Sequence, residues 1–199
     1  MVGIIDYGVG NLFSLRSSFA AIGVEAFVSG DAGELAKADR LILPGVGAFG
    51  DAAEKLRATG LDAFVREQAA AGKPLMGICL GMQLLFERSF EYGEHFGLGL
   101  LKGQVVGMSG RLPEGLKIPH MGWNALKLTK AAKLLEEGSY VYFVHSFYAE
   151  NCEDSIAAVT DYGSPITAAV EKGNIFGCQF HPEKSGNVGL AILKKFCEV

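Results

Sequence analysis

Lys73-Pro-Leu-Met-Gly-Ile-Cys-Leu-Gly-Met-Gln-Leu-Leu-Phe86 is the stretch on which the reading of this chain turns. After Pro74, Leu75 to Ile78 form an apolar run without polar alternation, which predicts a short strand covered on both faces. Beyond Cys79, Leu80, Leu84 and Leu85 recur at helical spacing and predict a helix. Cys79 stands at the join, between Gly77 and Gly81. Gly-x-Cys-x-Gly has the form of a nucleophile elbow, a sharp strand-to-helix turn in which glycines let backbone pack closely around a raised reactive atom. The helix would turn unpaired N–H groups and the positive end of its dipole toward the sulfur, favouring thiolate. The N–H of Leu80 would be an oxyanion donor. By itself the pattern fits an inert thiol equally well, because a free cysteine in an apolar strand behaves as a small hydrophobe.

Outward from this stretch, strands and helices alternate. Val2 to Asp6 reads as a buried strand, and Gly8 to Asn11 turns into a helix with Leu12, Leu15, Phe19 and Ile22 on one face and Asn11 as N-cap. Gly8-x-Gly10 invites a dinucleotide-binding reading, but Phe13 stands where the third glycine belongs and the fingerprint fails. Val24–Val28 and Arg40–Leu43 are further strands, and Leu61–Ala71 is an amphipathic helix closed by Gly72. Such alternation predicts an α/β fold, an open, mostly parallel central sheet with helices on both faces. Past residue 90, runs rich in β-branched and aromatic residues predict additional antiparallel strands in the C-terminal half: Leu100–Met108, Met121–Leu128, Tyr140–Phe147, Ile156–Thr160, Ile166–Val170 and Ile175–Phe180. Ser185 opens a final helix with Val188, Ile192 and Phe196 on one face.

Size and composition bound the rest. The 199 residues predict a single domain, 1–199. Glycine is 27 of these, nearly twice the usual share of about 7%, so many tight turns or close backbone approaches are expected. A net charge of −4 gives no reason to expect nucleic acid or anionic membrane as a partner. Cys79, Cys152, Cys178 and Cys197 form no Cys-x-x-Cys pair, so neither a zinc site nor a dithiol motif is indicated. No secretory signal or membrane span is read, and the expectation is a soluble cytoplasmic protein.

Phe180-His-Pro-Glu-Lys184 supplies what a reactive Cys79 lacks. On an extended segment His181 and Glu183 would point the same way, and Glu183 could hold the imidazole in the tautomer a base needs. Pro182 would block helix between them. Leu41-Ile-Leu-Pro-Gly-Val-Gly47 runs a strand into a glycine turn, where the Val46 N–H could join that of Leu80 in an oxyanion hole; the plain reading is a simple turn. Gly45 and Gly47 would allow two peptide orientations there. Trp123, flanked by His120 and Met121, suits either an exposed interface anchor or a core position. His120 and His145 are not read as metal ligands, since no carboxylate or cysteine lies near them at ligand spacing.

Pro44-Gly-Val-Gly47, Gly77-Ile-Cys-Leu-Gly-Met-Gln83 and Phe180-His-Pro-Glu183 stand in this order over nearly the whole chain. In these motifs the sequence closely resembles the class I (triad-type) glutamine amidotransferase family, whose fold is flavodoxin-like. The resemblance implies that Cys79 attacks the side-chain amide of glutamine, that His181 with Glu183 protonates the departing ammonia, and that a glutamyl thioester is then hydrolysed. It also implies that Gly47, Gln83, Ser146 and Phe147 hold the glutamine, and that no cofactor or metal is needed.

Within that family, Ile5 to Leu12, Pro119 to Asn124, Tyr142 to Ser146 and Glu183 to Ser185 resemble the branch of free-standing glutaminase subunits of imidazole glycerol phosphate synthases. This implies a heterodimer with a (β/α)8-barrel cyclase subunit that uses the ammonia in histidine biosynthesis. By the same likeness Asn11, His120, Met121, Trp123, Tyr142 and Lys184 are expected at the partner interface. The glutaminase of another synthase (pyridoxal phosphate or anthranilate), a non-catalytic interaction subunit and a cysteine peptidase-like hydrolase are the other readings of the same residues.

Overall fold

The computed structural model describes residues 1–199. In chain order the first half contains β1 (Val2–Ile5), α1 (Leu12–Ala21), β2 (Ala26–Ser29), α2 (Ala32–Leu35), β3 (Arg40–Leu43), α3 (Phe49–Ala58), α4 (Leu61–Ala70), β4 (Leu75–Ile78) and α5 (Leu80–Leu84). Then follow β5 (Phe86–Ser89), β6 (His95–Phe96), β7 (Leu101–Gly107), β8 (His120–Ala125), β9 (Lys127–Leu128), β10 (Tyr140–His145) and β11 (Phe147–Glu150). The chain closes with β12 (Ile156–Asp161), β13 (Pro165–Lys172), β14 (Ile175–Cys178), a 3-10 turn over Pro182–Lys184 and α6 (Gly186–Phe196).

An eight-stranded sheet runs in the order β2-β1-β3-β4-β14-β13-β12-β9. From β2 to β14 the neighbours are parallel; from β14 onward they are antiparallel. The inner parallel strands β1, β4 and β14 are buried along their whole length and carry no charged or polar side chain beyond Cys178, as strands covered on both faces do. Strand β3 matches them after Arg40, and the edge strand β2 is only half-buried. Their period of two separates the side chains cleanly. Val2, Ile4, Ile42, Met76 and Ile78 pack on one side with Leu15 and Phe19 of α1 and Ile192, Leu193 and Phe196 of α6. Ile5, Leu41, Leu43 and Leu75 face the other side, against Phe49, Leu56, Phe64 and Val65 of α3 and α4. Burying each such side chain stabilises the fold by roughly 1.5–3 kcal/mol. The predicted open, mostly parallel sheet with helices on both faces and antiparallel strands in the C-terminal half is thus the architecture found.

Several boundaries differ from the sequence reading. The run Tyr140–Phe147 is broken at Ser146: β10 pairs with β8 in a separate two-stranded sheet, whereas β11 joins β7, β5 and β6 in a four-stranded one. Met121–Leu128 likewise divides into β8 and β9, in different sheets. Helix α3, which the sequence reading passes over, buries Phe49, Ala52, Ala53 and Leu56, but its small alanines and Gly50 dilute that stripe. Asn11 occupies the N-cap position of α1, yet its side chain makes no capping bond; φ −90° and ψ 67° put it outside the extended region from which a side chain reaches the next turn.

Candidate active site

Because β3, β4 and β14 are parallel neighbours, the segments leaving their carboxyl ends meet: Pro44 to Ala48, Cys79 and Gln179 to Glu183. In open α/β sheets this edge is where ligands bind. Cys79 is the hinge, at φ 55° and ψ −114°, a left-handed conformation that costs a non-glycine residue about 1–3 kcal/mol and is held there by its surroundings. Its N–H donates to the Cys178 carbonyl at 2.7 Å. A Cβ on Gly77 would lie 2.6 Å from the Gly81 carbonyl oxygen, and one on Gly81 would lie 1.8 Å from that of Leu43. The glycines therefore serve the close backbone approach expected of an elbow. Gly45 has the same job, since its Cβ would come 2.7 Å from the Gly81 nitrogen; only Gly47, at φ 91°, is held left-handed.

One expectation needs correcting. Helix α5 spans only Leu80–Leu84, hardly more than one turn, so the dipole that the sequence reading places behind the sulfur is too short to build up. What the helix does offer is the N–H of Leu80, a first-turn donor with no intrahelical acceptor.

His181 is buried, and its Nδ1 donates to Glu183 Oε1 at 2.8 Å. The segment is not extended as predicted: Pro182 opens a 3-10 turn containing Glu183, a position that suits proline's fixed φ. The pairing survives because the turn still folds the carboxylate beneath the ring. The Glu183 side chain is 1% exposed and its Oε2 has no partner, so its charge is directed at His181. Burial alone would lower the proton affinity of His181. Hydrogen bonds to Cys79 and Glu183, with their charges, more than reverse that and lift it to about 9. The backbone of the segment is tied to β10: the His181 N–H donates to the Tyr142 carbonyl at 2.9 Å. Ser185 Oγ donates to the His181 carbonyl at 2.6 Å and accepts the Tyr142 N–H at 3.0 Å.

A cavity of about 410 Å³ opens over these groups, and its wall contains Val46, Gly47, Cys79, Leu80, Gln83, Ser146, Phe147, His181 and Lys184. The residues expected to be nucleophile, base, oxyanion donors and ligand contacts thus share one wall, with Glu183 behind it. Gln83 donates through Nε2 to the Phe147 carbonyl at 3.1 Å and to Gln179 Oε1 at 3.0 Å, which leaves its own oxygen for a ligand. Glu91 is a site residue that the sequence reading misses: it is the one carboxylate on the wall. Burial raises its proton affinity, and the Phe49 N–H on its Oε2 at 2.6 Å opposes that rise. A lone acidic residue after a strand carries no sequence signal; only the fold brings it to the cavity that Cys79 lines.

The expected interface residues divide. On β8 and β10, Trp123 faces Tyr142 in register, their rings edge-on with centroids 6.0 Å apart. Trp123 and Met121 are 52% and 61% exposed, so neither occupies the core. Lys184 is exposed at the cavity mouth, and Asn11 is half-buried beyond β1. His120 does not belong to that face. Strand alternation turns it inward to 1% exposure, with Nδ1 3.1 Å from His145 Nε2 and Nε2 2.8 Å from Asn124. His145 is on the cavity wall, but burial pushes it down to about 3, so it is neutral and its Nδ1 donates to the Phe147 carbonyl at 2.8 Å.

A cysteine on a strained elbow, a histidine oriented by a buried carboxylate and backbone donors beside them form the arrangement for acyl transfer through a thioester. Comparison with known proteins agrees. The structure is similar to a crystal structure of a glutamine amidotransferase (TM-score 0.78, 21% identity, 99% of this chain and 97% of that one) and to PurLQS from Thermotoga maritima (TM-score 0.76, 23% identity, 99% and 97%), which shows the shared fold. The sequence is 52% identical to the imidazole glycerol phosphate synthase subunit HisH of Wolinella succinogenes over 100% of both chains. It is 49% identical to the HisH of Bacillus subtilis over 100% of this chain and 96% of that one. Residues 3–199 match the family described as glutamine amidotransferase class-I, and the chain belongs to that family.

Proposed function

We propose that this chain, as a single domain, is the glutaminase subunit of an imidazole glycerol phosphate synthase. It hydrolyses glutamine to glutamate and ammonia and passes the ammonia to a (β/α)8-barrel cyclase subunit. The observation that carries this reading is the placement of Cys79 and His181 on one cavity wall, with Glu183 bonded to His181 behind it, in a chain about half identical to HisH proteins along its whole length.

The Cys79 thiolate attacks the side-chain amide carbon of glutamine, and negative charge develops on the amide oxygen. The N–H of Leu80 and a Val46 N–H turned into the cavity hold that oxygen; one such donor is worth roughly 3 kcal/mol in the transition state. His181, protonated at neutral pH by its partners, gives its proton to the departing nitrogen, and ammonia leaves. The thioester remains on Cys79. His181, now neutral, takes a proton from water as the water attacks the thioester carbon. Collapse of that adduct releases glutamate and restores thiolate and imidazolium. Gly47, Ser146, Phe147 and the Gln83 oxygen would orient the substrate, and the Glu91 carboxylate would take its α-ammonium group. No step calls for a cofactor.

Met121, Trp123, Tyr142 and Lys184 would seat the cyclase beside the cavity mouth. There the ammonia would reach a phosphorylated ribulosyl intermediate and yield imidazole glycerol phosphate with an aminoimidazole carboxamide ribotide. No helix is long and apolar enough to cross a membrane; the reading places the complex in the cytoplasm.

The test is glutamate release by the purified chain alone, with the barrel cyclase, and with the cyclase plus its ribulosyl substrate, using Cys79→Ala as blank. Strong turnover only in the loaded complex is the expected result. Turnover indifferent to that cyclase would keep the chemistry and assign a different synthase. No turnover in any arm would make this a non-catalytic subunit.

A further inference from the structure

We propose that Gln179 acts directly on the nucleophile: its side-chain amide donates the hydrogen bond that aims and stabilises the Cys79 thiolate. Gln179 leaves β14 two residues before His181 and is 0% exposed. A wholly buried primary amide is costly unless its polar atoms are matched, so its partners explain why it is there. Its Oε1 accepts from Gln83 Nε2 at 3.0 Å, and its Nε2 lies 3.9 Å from Cys79 Sγ.

The direction of these bonds is fixed from one end. The Phe147 carbonyl can only accept, so the group of Gln83 that faces it at 3.1 Å must be the NH2. The second hydrogen of that NH2 then points at Gln179, whose facing atom must be oxygen. The NH2 of Gln179 is thereby turned to the sulfur and has no alternative orientation. A bond at 3.9 Å is long for the resting site and tightens when charge gathers on sulfur, because charge-assisted hydrogen bonds are shorter and stronger than neutral ones. Since α5 is too short to polarise the thiol through a helix dipole, the Gln179 amide takes over part of that task. Gln83 also lines the cavity, so a ligand that shifts Gln83 shifts the donor on the sulfur.

The inference rests on Cys79 being the glutaminase nucleophile, and its test reads the thiol without glutamine, so the two can fail separately. The pH dependence of Cys79 alkylation by iodoacetamide is followed by peptide mass in the full chain, in Gln179→Met and in Gln179→Glu. Methionine fills similar volume without a donor; the expected result is an upward shift of the alkylation midpoint equivalent to a roughly three- to tenfold smaller thiolate fraction at neutral pH. In the loaded complex kcat falls by a similar factor while KM stays within about twofold. Glutamate keeps the shape and the Gln83 contact but presents an acceptor to sulfur, and the midpoint moves further in the same direction. It also serves if the methionine variant does not fold. Unshifted midpoints in the folded variants would overturn the proposal.

Discussion

The two arms of the site are held by different kinds of force. Cys79 is placed by backbone: a left-handed φ, an N–H bonded to Cys178 and glycines that bring the elbow and the Leu43–Gly45 turn closer together than any side chain permits. His181 shares one backbone bond with β10, its N–H to the Tyr142 carbonyl, but its ring is set by side chains: Glu183 on Nδ1 and Ser185 strapping its carbonyl to β10. A backbone-held group is hard to change without unfolding the region, whereas a side-chain-held group can be detuned one bond at a time. The nucleophile arm should therefore fail through loss of fold, and the base arm through loss of rate.

The largest effect is expected at Gly81. A Cβ 1.8 Å from the Leu43 carbonyl oxygen forces β3 and α5 apart, so Gly81→Ala should lose about 3 kcal/mol or more in urea unfolding, with activity lost alongside. Next comes Glu183→Gln, which should leave unfolding cooperative but lower kcat by roughly 10²–10⁴-fold, as wrong-tautomer substitutions do. The same variant tests the charge. His181 is raised from 6.5 to about 9, so the stability its pairing contributes is fully present below pH 6.5 and lost as pH rises through about 9. The stability difference between native protein and Glu183→Gln should shrink over that window, and the alkaline fall of kcat should move to lower pH in the variant.

Ser185→Ala is the finer probe of the base arm. It removes both bonds between the His181 segment and Tyr142 made by Oγ, and kcat should drop about tenfold with KM within twofold, at a stability cost of ~1–3 kcal/mol. Because β10 carries Tyr142 on the face opposite the core, this strap also links the base arm to the proposed docking face. The smallest intrinsic effect belongs to Trp123→Ala: binding of the barrel cyclase should weaken by roughly 10–100-fold, as for an exposed aromatic anchor, while alkylation of Cys79 in the free chain stays unchanged.

The same contrast explains what could be read in the sequence. The nucleophile arm is local, so Leu75 to Gly81 spelled out its strand, turn and glycines, and β1, β3 and β4 lie where the apolar runs put them. His181 and Glu183 are two residues apart and were legible as a pair, though their turn was not, because Pro182 blocks a helix interior but suits the first position of a 3-10 turn. Gln179 and Glu91 left no trace, since their partners, Cys79, Gln83 and Phe49, lie far off in the chain. His120 was placed with Met121 and Trp123 by adjacency, and the period of the strand separated it from them. The break at Ser146 was hidden inside a run with uniform β propensity, although it delivers Phe147 to the site.

The most direct test of the account is to treat the four free cysteines together with a glutamine-analogue electrophile and locate the adduct by peptide mass. A single adduct on Cys79, forming faster in the loaded complex and absent from Cys79→Ala, is predicted. Label on Cys152, Cys178 or Cys197, or none under conditions where glutamate is released, would contradict it.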